Sequence, residues 1–350
     1  MELKINNRKV RLLKSHKSAD YEYKTVLSNS SFKYVELWLR SQKGEKFEKA
    51  LFYWRQAYTF ERASEKLPIE AKPLTAYYCI MNATKALLSI HGVSMENISH
   101  GVSSSRQNTH GSIRQDEIIY TGSGVLFELS KYLGEGPLNK TTYKVFDLLY
   151  NLPCIHRTFT ITYSDMPDLF VPINNIYYDV FKNVVQDRFD SYIRFNLCQR
   201  YDINQIIRNL HNSIEKVSKE NESFYLLKAR WSYPIGAKPH DIALLINLYH
   251  SKIGKNFYYI SGATPLWYIK KNLARNSHLI DRHSLTLIYG VMHWLSELVR
   301  YSPDVFDKVM NSRQNWLVQE FVNMALPQFI DEISSEITGA DILCPGLRNS

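Results

Sequence analysis

Two helical patterns that are apolar around most of their circumference constrain the fold of this chain more than any other feature. The first is LTAYYCIMNATKALLSIHG, from Leu74 to Gly92, and the second is SLTLIYGVMHWLSELVRY, from Ser284 to Tyr301. A helix that is hydrophobic on nearly every side is stable only inside a core. We therefore expect residues 46–92 to pack against residues 283–336.

The remaining patterns place mixed structure between these helices. Around residues 158–281, Ile, Val and aromatic residues alternate with polar residues, which is typical of strands, and helical stretches lie between them. The predicted fold class is mainly α with an α+β middle, in which N- and C-terminal helices form one bundle. The predicted segments are a basic N-terminal arm (1–45), an N-terminal helical part (46–157), a mixed middle region (158–281), a C-terminal helical part (282–337) and a tail (338–350).

Several local patterns predict individual elements. DEIIY, ending at Tyr120, predicts a strand, and Val125–Leu133 predicts a helix. TTYKVFDLLYNLP predicts a helix that is capped by Thr141 or Thr142. INQIIRNLHNSIEKV, after Asp202, predicts another helix. Pro327 predicts a bend in the last helix.

The net charge of +9 is concentrated near the N-terminus. Residues 1–55 hold 13 Lys+Arg and 6 Asp+Glu, which is 13 − 6 = +7 of the total. Basic residues with interleaved aromatics are typical of surfaces that bind RNA or DNA. The alternative is a solvated segment without a partner. The candidate nucleic-acid-binding residues are Lys4, Arg8, Lys9, Arg11, Lys14 and Lys17.

The sequence predicts neither a cofactor nor a metal. The four cysteines lie far apart and none forms a C-x-x-C pair, and nucleotide, zinc-helix and hydrolase-elbow motifs are missing. No apolar signal segment follows the basic N-terminus, and the longest apolar run, Leu285–Leu295, is shorter than the roughly 20 residues of a membrane span. We expect a cytoplasmic protein with no membrane contact.

One polar loop, residues 94–115, contains the candidate catalytic residues His100, Arg106 and His110. Histidine exchanges protons near neutral pH, and arginine stabilises negative charge on a phosphate. The alternative is an ordinary surface loop, in which a histidine only bonds the loop to the core.

A second candidate cluster lies at the two ends of the long C-terminal helix. Arg275, His278 and His283 precede the helix, and Arg300 lies in its last turn. His278 and His283 are five residues apart, which differs from the i, i+4 spacing of a helical zinc pair. The alternative is a solvated helix start with Asp281 as a helix-start residue, and an Arg300 that stabilises the helix end.

Five stretches in order resemble the YaaC-like family of bacterial proteins: LTAYYCIMNATKALLSIHG with SHGV, TGSGVLFELSKYL, KVFDLLYNLP, LSELVRYSPDVF and ALPQFI. The resemblance extends from about Lys46 to Ile333. The first stretch also resembles HEPN helical domains, which implies a four-helix bundle, a homodimer, and a role in RNA cleavage or antiviral defence. HEPN ribonucleases place four to six residues between Arg and His. Arg106 and His110 have three between them, so two copies would have to share the site.

Three functions remain open from the sequence. The first is a binding module for RNA or for a protein partner, in phage defence or stress response. The second is a divergent, metal-independent HEPN-type ribonuclease that uses His100, Arg106 and His110. The third is a structural or assembly subunit of a larger complex, because the 24 tyrosines suit a protein interface.

Overall fold

The computed structural model describes residues 1–22, 25–104, 112–198, 208–219, 222–272 and 276–345. The chain forms two compact units. The sheet unit comprises Met1–Leu27, Leu169–Arg275 and Gly339–Ser350. The helical unit comprises Ser28–Asp168 and Asn276–Thr338.

The helices of the described residues are, in chain order, α1 (Ser31–Ser41), α2 (Glu45–Glu65), α3 (Lys72–Ile90), α4 (Val125–Leu133), α5 (Val145–Tyr150), α6 (His156–Thr162), α7 (Pro239–Ile253), α8 (Ser284–Tyr301), α9 (Pro303–Met310) and α10 (Asn315–Thr338). Short 3-10 turns cover Pro153–Ile155 and Gly254–Asn256.

The strands of the described residues are β1 (Lys4–Ile5), β2 (Arg8–Lys9), β3 (Val26–Leu27), β4 (Val102–Ser104), β5 (Glu117–Tyr120), β6 (Thr141–Lys144), β7 (Phe170–Asn183), β8 (Arg188–Leu197), β9 (Ile214–Lys219), β10 (Glu222–Leu227), β11 (Trp231–Pro234), β12 (Phe257–Ile260), β13 (Leu266–Lys270) and β14 (Ile342–Leu343).

A seven-stranded antiparallel sheet dominates the sheet unit. Its order is β12-β13-β7-β8-β10-β9, and β11 pairs with the other end of β8. The long hairpin of β7 and β8 has a register shift between Asn174 and Tyr177, where Asn175 adopts a left-handed φ of 50°. Such a bulge bends the strand and increases the local twist of the sheet.

The first residues of the chain belong to the core of the sheet unit. The amide of Leu3 donates to the carbonyl of Tyr178 at 2.9 Å, and the amide of Tyr178 donates to the carbonyl of Val10 at 3.0 Å. Leu3, Ile5 and Val10 are buried with the apolar face of the sheet. The amphipathic helix α7 contributes Ile246 and other residues to the same core.

The helical unit is built around α3, which is buried along most of its length. It packs against α2, α8 and α10, and the three-stranded sheet β4-β5-β6 belongs to the same unit. Pro73 lies in the first turn of α3, where its missing N–H costs nothing. The packing of residues 46–92 against residues 283–336, which the apolar helices predict, is confirmed.

The predicted fold class is wrong, because the protein is a mixed α/β structure and not a mainly helical, HEPN-like bundle. The seven-stranded sheet has its own core and its own compact unit. The sheet unit also contains a separate two-stranded parallel sheet, in which β3, near the N-terminus, pairs with β14, near the C-terminus. Such long-range pairings leave no local periodicity that a single sequence could display.

Two predicted helices are partly strands. Thr141–Lys144 pairs with β5 in antiparallel register, and the helix begins only at Val145. Ile214–Lys219, at the end of the helix predicted after Asp202, pairs with β10. β-branched and alternating residues fit a pleated surface once a partner strand is present, and this tertiary context outweighs helix propensity. Residues 199–207 lie outside the described part of the chain.

No helix within the described residues is long and apolar enough to cross a membrane.

Candidate active site

Two packed helices of the helical unit supply the floor of the candidate site. On α8, Tyr289, His293, Glu297 and Arg300 follow one another at spacings of four, four and three residues. This spacing places them along one face of the helix. On α3, Tyr77 lies against this face, with its ring 5.6 Å from that of Tyr289 and 5.0 Å from that of His293, measured between centroids.

The segment before β4 brings His100 onto this floor. The first amides of α4 anchor it, because Val125 N–H donates to the carbonyl of Ser99 at 2.9 Å and Leu126 N–H donates to that of His100 at 3.2 Å. The backbones of Gly101 and Gly124 approach closely, and a Cβ on Gly124 would lie 2.5 Å from the nitrogen of Gly101. Gly124 also has a φ of +102°, which favours glycine.

A chain of hydroxyl groups holds the ring of His100. The hydroxyl of Tyr77 lies 2.5 Å from Nδ1 of His100 and 3.4 Å from the hydroxyl of Tyr289. Tyr289 donates to the carbonyl of His100 at 3.2 Å. When the hydroxyl of Tyr77 donates its hydrogen bond to the oxygen of Tyr289, Nδ1–H of His100 donates to the oxygen of Tyr77, and Nε2 is left as a proton acceptor. The rings of Tyr77 and His100 are also stacked, with centroids 5.6 Å apart.

His293 is the second imidazole of the site. It is only 4% exposed, and its ring centroid lies 6.0 Å from that of His100. Among the described residues its Nδ1 has no hydrogen-bond partner, although Oε2 of Glu297 lies 3.8 Å away. Burial, together with the charges of His100 and Arg300, lowers the pKa of His293 to about 3. This ring is therefore neutral at physiological pH.

Two cations give the site a positive potential. Burial lowers the pKa of His100, and the charges of Lys85 and Arg300 lower it further. Burial also lowers the pKa of Lys85, which lies two turns beyond Tyr77 on the same face of α3. Like-charge repulsion from these cations thus favours a neutral His100, and the carboxylate of Glu297 on the same floor offsets part of their charge.

Glu297 connects the floor of the site to the end of β4. Its carboxylate accepts a hydrogen bond from the amide of Ser104 at 3.1 Å and another from the hydroxyl of Ser104. Because the same carboxylate faces His293, one side chain positions both the strand end and the second imidazole. Glu297 belongs to the positioning residues of the site.

This arrangement suits proton transfer beside an anion. An exposed, anchored and neutral imidazole is a general base at neutral pH, and the neighbouring cations can neutralise a phosphate. Among the described residues no group of three or more His, Cys, Asp or Glu side chains could hold a metal ion.

The structure places one of the three predicted catalytic residues in the site. His100 is solvent-exposed and forms the contacts described above. Arg106 and His110 lie outside the described residues, so their role remains a prediction.

The second predicted cluster has separate partners. His278 Nδ1 lies 2.7 Å from the carboxylate of Asp147. His283 is the N-cap residue of α8, and its Nδ1 accepts from the amide of Leu285 at 3.2 Å. It therefore takes the helix-start position expected for Asp281. Arg300 lies in the candidate site, and Arg275 lies outside the described residues.

The predicted nucleic-acid-binding residues are unevenly exposed in the sheet unit. Lys4, Arg8 and Arg11 are exposed. Lys9 pairs with Glu2 at 2.6 Å, with its ammonium 3.2 Å from the centre of the Tyr177 ring. Lys14 is buried, and its Nζ donates to the carbonyl of Ile342 at 2.7 Å, while Lys17 is half-buried.

Sequence reasoning missed most of the floor. Tyr77 was assigned to the core, and His293, Glu297 and Lys85 were not singled out. Apolar residues surround these four positions in the sequence, and the local pattern therefore predicts core positions. The available signal was the row of polar residues on α8, from Tyr289 to Arg300, at helical spacing.

A family model described as YaaC-like Protein matches residues 12–337. Neither the curated proteins nor the solved structures include a match to the chain. The matched range includes residues of both units.

Proposed function

The chain belongs to the YaaC-like family, and we propose that its helical unit cleaves RNA without a metal ion, with His100 as the general base. The observation that carries this proposal is the pairing of an anchored imidazole, whose pKa is lowered first by burial, with the two cations Lys85 and Arg300. Cleavage next to a 2′-hydroxyl needs a base for that hydroxyl and positive charge for the phosphate.

In the proposed reaction, Nε2 of His100 takes the proton of the 2′-hydroxyl. The 2′-oxygen then forms a bond to phosphorus, and the bond from phosphorus to the 5′-oxygen breaks. Water supplies the proton of the departing 5′-hydroxyl. Arg300 and Lys85 neutralise the charge that accumulates on the phosphate oxygens. The products are a 2′,3′-cyclic phosphate and a 5′-hydroxyl end.

Tyr77, Tyr289 and His293 are positioning residues in this reaction. The two hydroxyls hold the His100 ring in place, and donation from Tyr77 to Tyr289 selects the tautomer that leaves Nε2 as acceptor. A neutral His293 behind the ring adds no further positive charge, so His100 can accept a proton.

The test is incubation of the purified protein with end-labelled RNA in EDTA, followed by analysis of the product ends. His100→Ala should lower the rate at least about 100-fold, the usual contribution of a general base. The matched control is His91→Ala, an exposed histidine at the end of α3 that contacts Tyr132. Equal rates for His100→Ala and the unsubstituted protein, or products with 3′-hydroxyl ends, would contradict the proposal.

A binding module without cleavage is the second candidate. The observation in its favour is that Lys4, Arg8 and Arg11 are all exposed near the N-terminal hairpin. Charge reversal at these three positions should reduce the salt slope of RNA binding by up to about 0.7 for each lost phosphate contact. Deletion of residues 1–20 is unsuitable, because Leu3 and Val10 belong to the core.

The remaining functional expectations stay predictions. They are a protein partner, a homodimer, an assembly role, a contribution to phage defence or stress response, and a cytoplasmic location.

A further inference from the structure

We infer that the candidate site takes single-stranded RNA, whose unpaired bases stack on two exposed aromatic platforms beside the two cations of the site. This inference rests on the proposed function and specifies its substrate. Each platform adjoins one of the two cations. Lys85 contacts the ring of Tyr53 on α2, whose neighbour Phe52 is exposed, and Arg300 contacts the exposed ring of Tyr301 on α8.

The first platform lies on α2. The ammonium of Lys85 is 5.5 Å from the centre of the Tyr53 ring. The ring of Phe52 meets that of Tyr53 edge to face, with centroids 5.4 Å apart, and Phe52 is 59% exposed. A phenylalanine of this exposure gains no core energy from its ring, whereas a nucleic-acid base would cover it.

The second platform is the end of α8. The guanidinium of Arg300 lies 4.7 Å from the centre of the Tyr301 ring, and Tyr301 is 63% exposed. Arg300 lies one turn beyond Glu297 on the face of α8 that carries His293. Tyr301 therefore adjoins the side of the site that binds the phosphate in the proposed reaction.

Alternation of cations and aromatic rings is the chemistry of single-strand recognition. Cations bind successive phosphates, and aromatic faces stack on bases with little sequence preference. In a duplex the bases are already stacked and paired, so the two platforms would have no free base to contact.

Binding is tested separately from cleavage in a His100→Ala background. Fluorescence anisotropy would measure the affinity for a labelled 12-nucleotide single-stranded RNA and for the duplex of the same sequence. We expect the single strand to bind at least tenfold more tightly than the duplex. Phe52→Ala and Tyr301→Ala should each weaken single-strand binding about tenfold, within the usual range for loss of a stacking partner.

Tyr301→Trp keeps the stacking face and should restore affinity. Trp316→Ala is the matched control, because Trp316 is an exposed aromatic of the helical unit, 47% exposed, without a cation contact to Lys85 or Arg300. Equal affinity for duplex and single strand, or unchanged binding by both alanine variants, overturns the inference even if RNA is cleaved. If the protein binds single strands tightly through these aromatic residues but never cleaves RNA, the substrate inference is supported and only the proposed cleavage is overturned.

Discussion

The hydroxyl of Tyr77 lies 2.5 Å from Nδ1 of His100. Tyr77 is 1% exposed on α3, whereas His100 is exposed, so a buried helix anchors a solvent-facing ring. A histidine on a polar segment would otherwise sample several rotamers and both tautomers. The anchoring reduces the entropy that a reaction at Nε2 would have to overcome.

Loss of this hydroxyl should slow the proposed reaction without unfolding the protein. Tyr77→Phe removes one hydrogen bond of about 1 kcal/mol, which corresponds to a five- to tenfold lower kcat. KM should change little, because the cations that bind the phosphate remain. Tyr78→Phe is the control, since the Tyr78 ring stacks on Phe60. Equal losses in the two variants would show that the Tyr77 hydroxyl has no special role.

The pH profile should depend on Lys85. Burial, followed by the charges of Lys85 and Arg300, lowers the pKa of His100 below 6.5, so the base stays neutral into mildly acidic solution. Lys85→Gln removes one like charge and should move the acid limb of the kcat/KM profile to higher pH. Lys131→Gln, at the end of α4, should leave the limb unchanged. If the acid limb lies at the same pH in Lys85→Gln and in the unsubstituted protein, the charge of Lys85 does not affect the pKa of His100.

Acid should destabilise the helical unit through His293. Burial lowers the pKa of His293 to about 3 in the folded chain, below the ordinary histidine value of 6.5, so the unfolded chain binds the extra proton first. The stability contribution is complete above pH 6.5 and is lost towards pH 3, at up to about 1.4 kcal/mol for each pH unit. Hydrogen exchange of α8 at pH 7.5 and 5.0 would measure this loss.

His293→Gln removes the titrating group and should reduce the pH dependence of that exchange. His250 is the internal control, because its buried ring titrates in the sheet unit, with a pKa lowered to about 4 by burial. Exchange in α7 should keep its pH dependence in the His293→Gln variant. If the hydrogen exchange of α8 depends on pH equally in His293→Gln and in the unsubstituted protein, His293 is not the group that causes the acid destabilisation.

The close approach of two glycines should make one position intolerant of any side chain. A Cβ on Gly124 would meet the backbone of Gly101 at 2.5 Å and would also require a φ of +102°. Gly124→Ala should destabilise the protein by about 3 kcal/mol or more, from strain and overpacking together. Gly92→Ala, with a φ of +78° and no atom within 4 Å of its Cβ, should cost only about 1 kcal/mol. Thermal unfolding of the two variants would measure the difference between their losses of stability.

Local periodicity predicted the elements that have a strong pattern of their own. The apolar faces of α3 and α8 predicted both helices and their mutual packing, which the structure confirms. The role of Leu3 and Val10 was not predictable in this way, because their partner Tyr178 lies far along the chain. Basic residues next to them also made the segment resemble an exposed arm.

Only the solvent-exposed part of the candidate site could be predicted from the sequence. His100 was identified because it lies in a polar loop. His293 and Tyr289 lie within an apolar helix, where a single polar side chain is usually a satisfied core residue. Their function depends on the side chains that another helix, α3, places opposite them, and this information is absent from the local sequence.

A buried ion pair next to the start of α8 provides a separate test of stability. Arg282 Nη1 lies 2.9 Å from the carboxylate of Glu135, and both side chains are almost fully buried. The same guanidinium donates to Ser130, Pro137 and Tyr143. Arg282→Met leaves a buried carboxylate without its cation and should destabilise the helical unit by about 3–5 kcal/mol. Thermal unfolding of the intact chain would measure the change.

The pH dependence of this variant identifies the unpaired acid as the cause. Burial raises the pKa of Glu135 despite Arg282, and without the arginine the carboxyl should protonate more readily still. A raised folded-state pKa adds stability below the unfolded value of about 4.5 and loses it as the pH rises through the folded value. Arg282→Met should therefore be more stable at pH 5 than at pH 8 relative to the unsubstituted protein. The double variant Arg282→Met with Glu135→Leu should recover part of the lost stability and should show no such difference between pH 5 and pH 8. If the double variant depends on pH as strongly as Arg282→Met, Glu135 is not the titrating group.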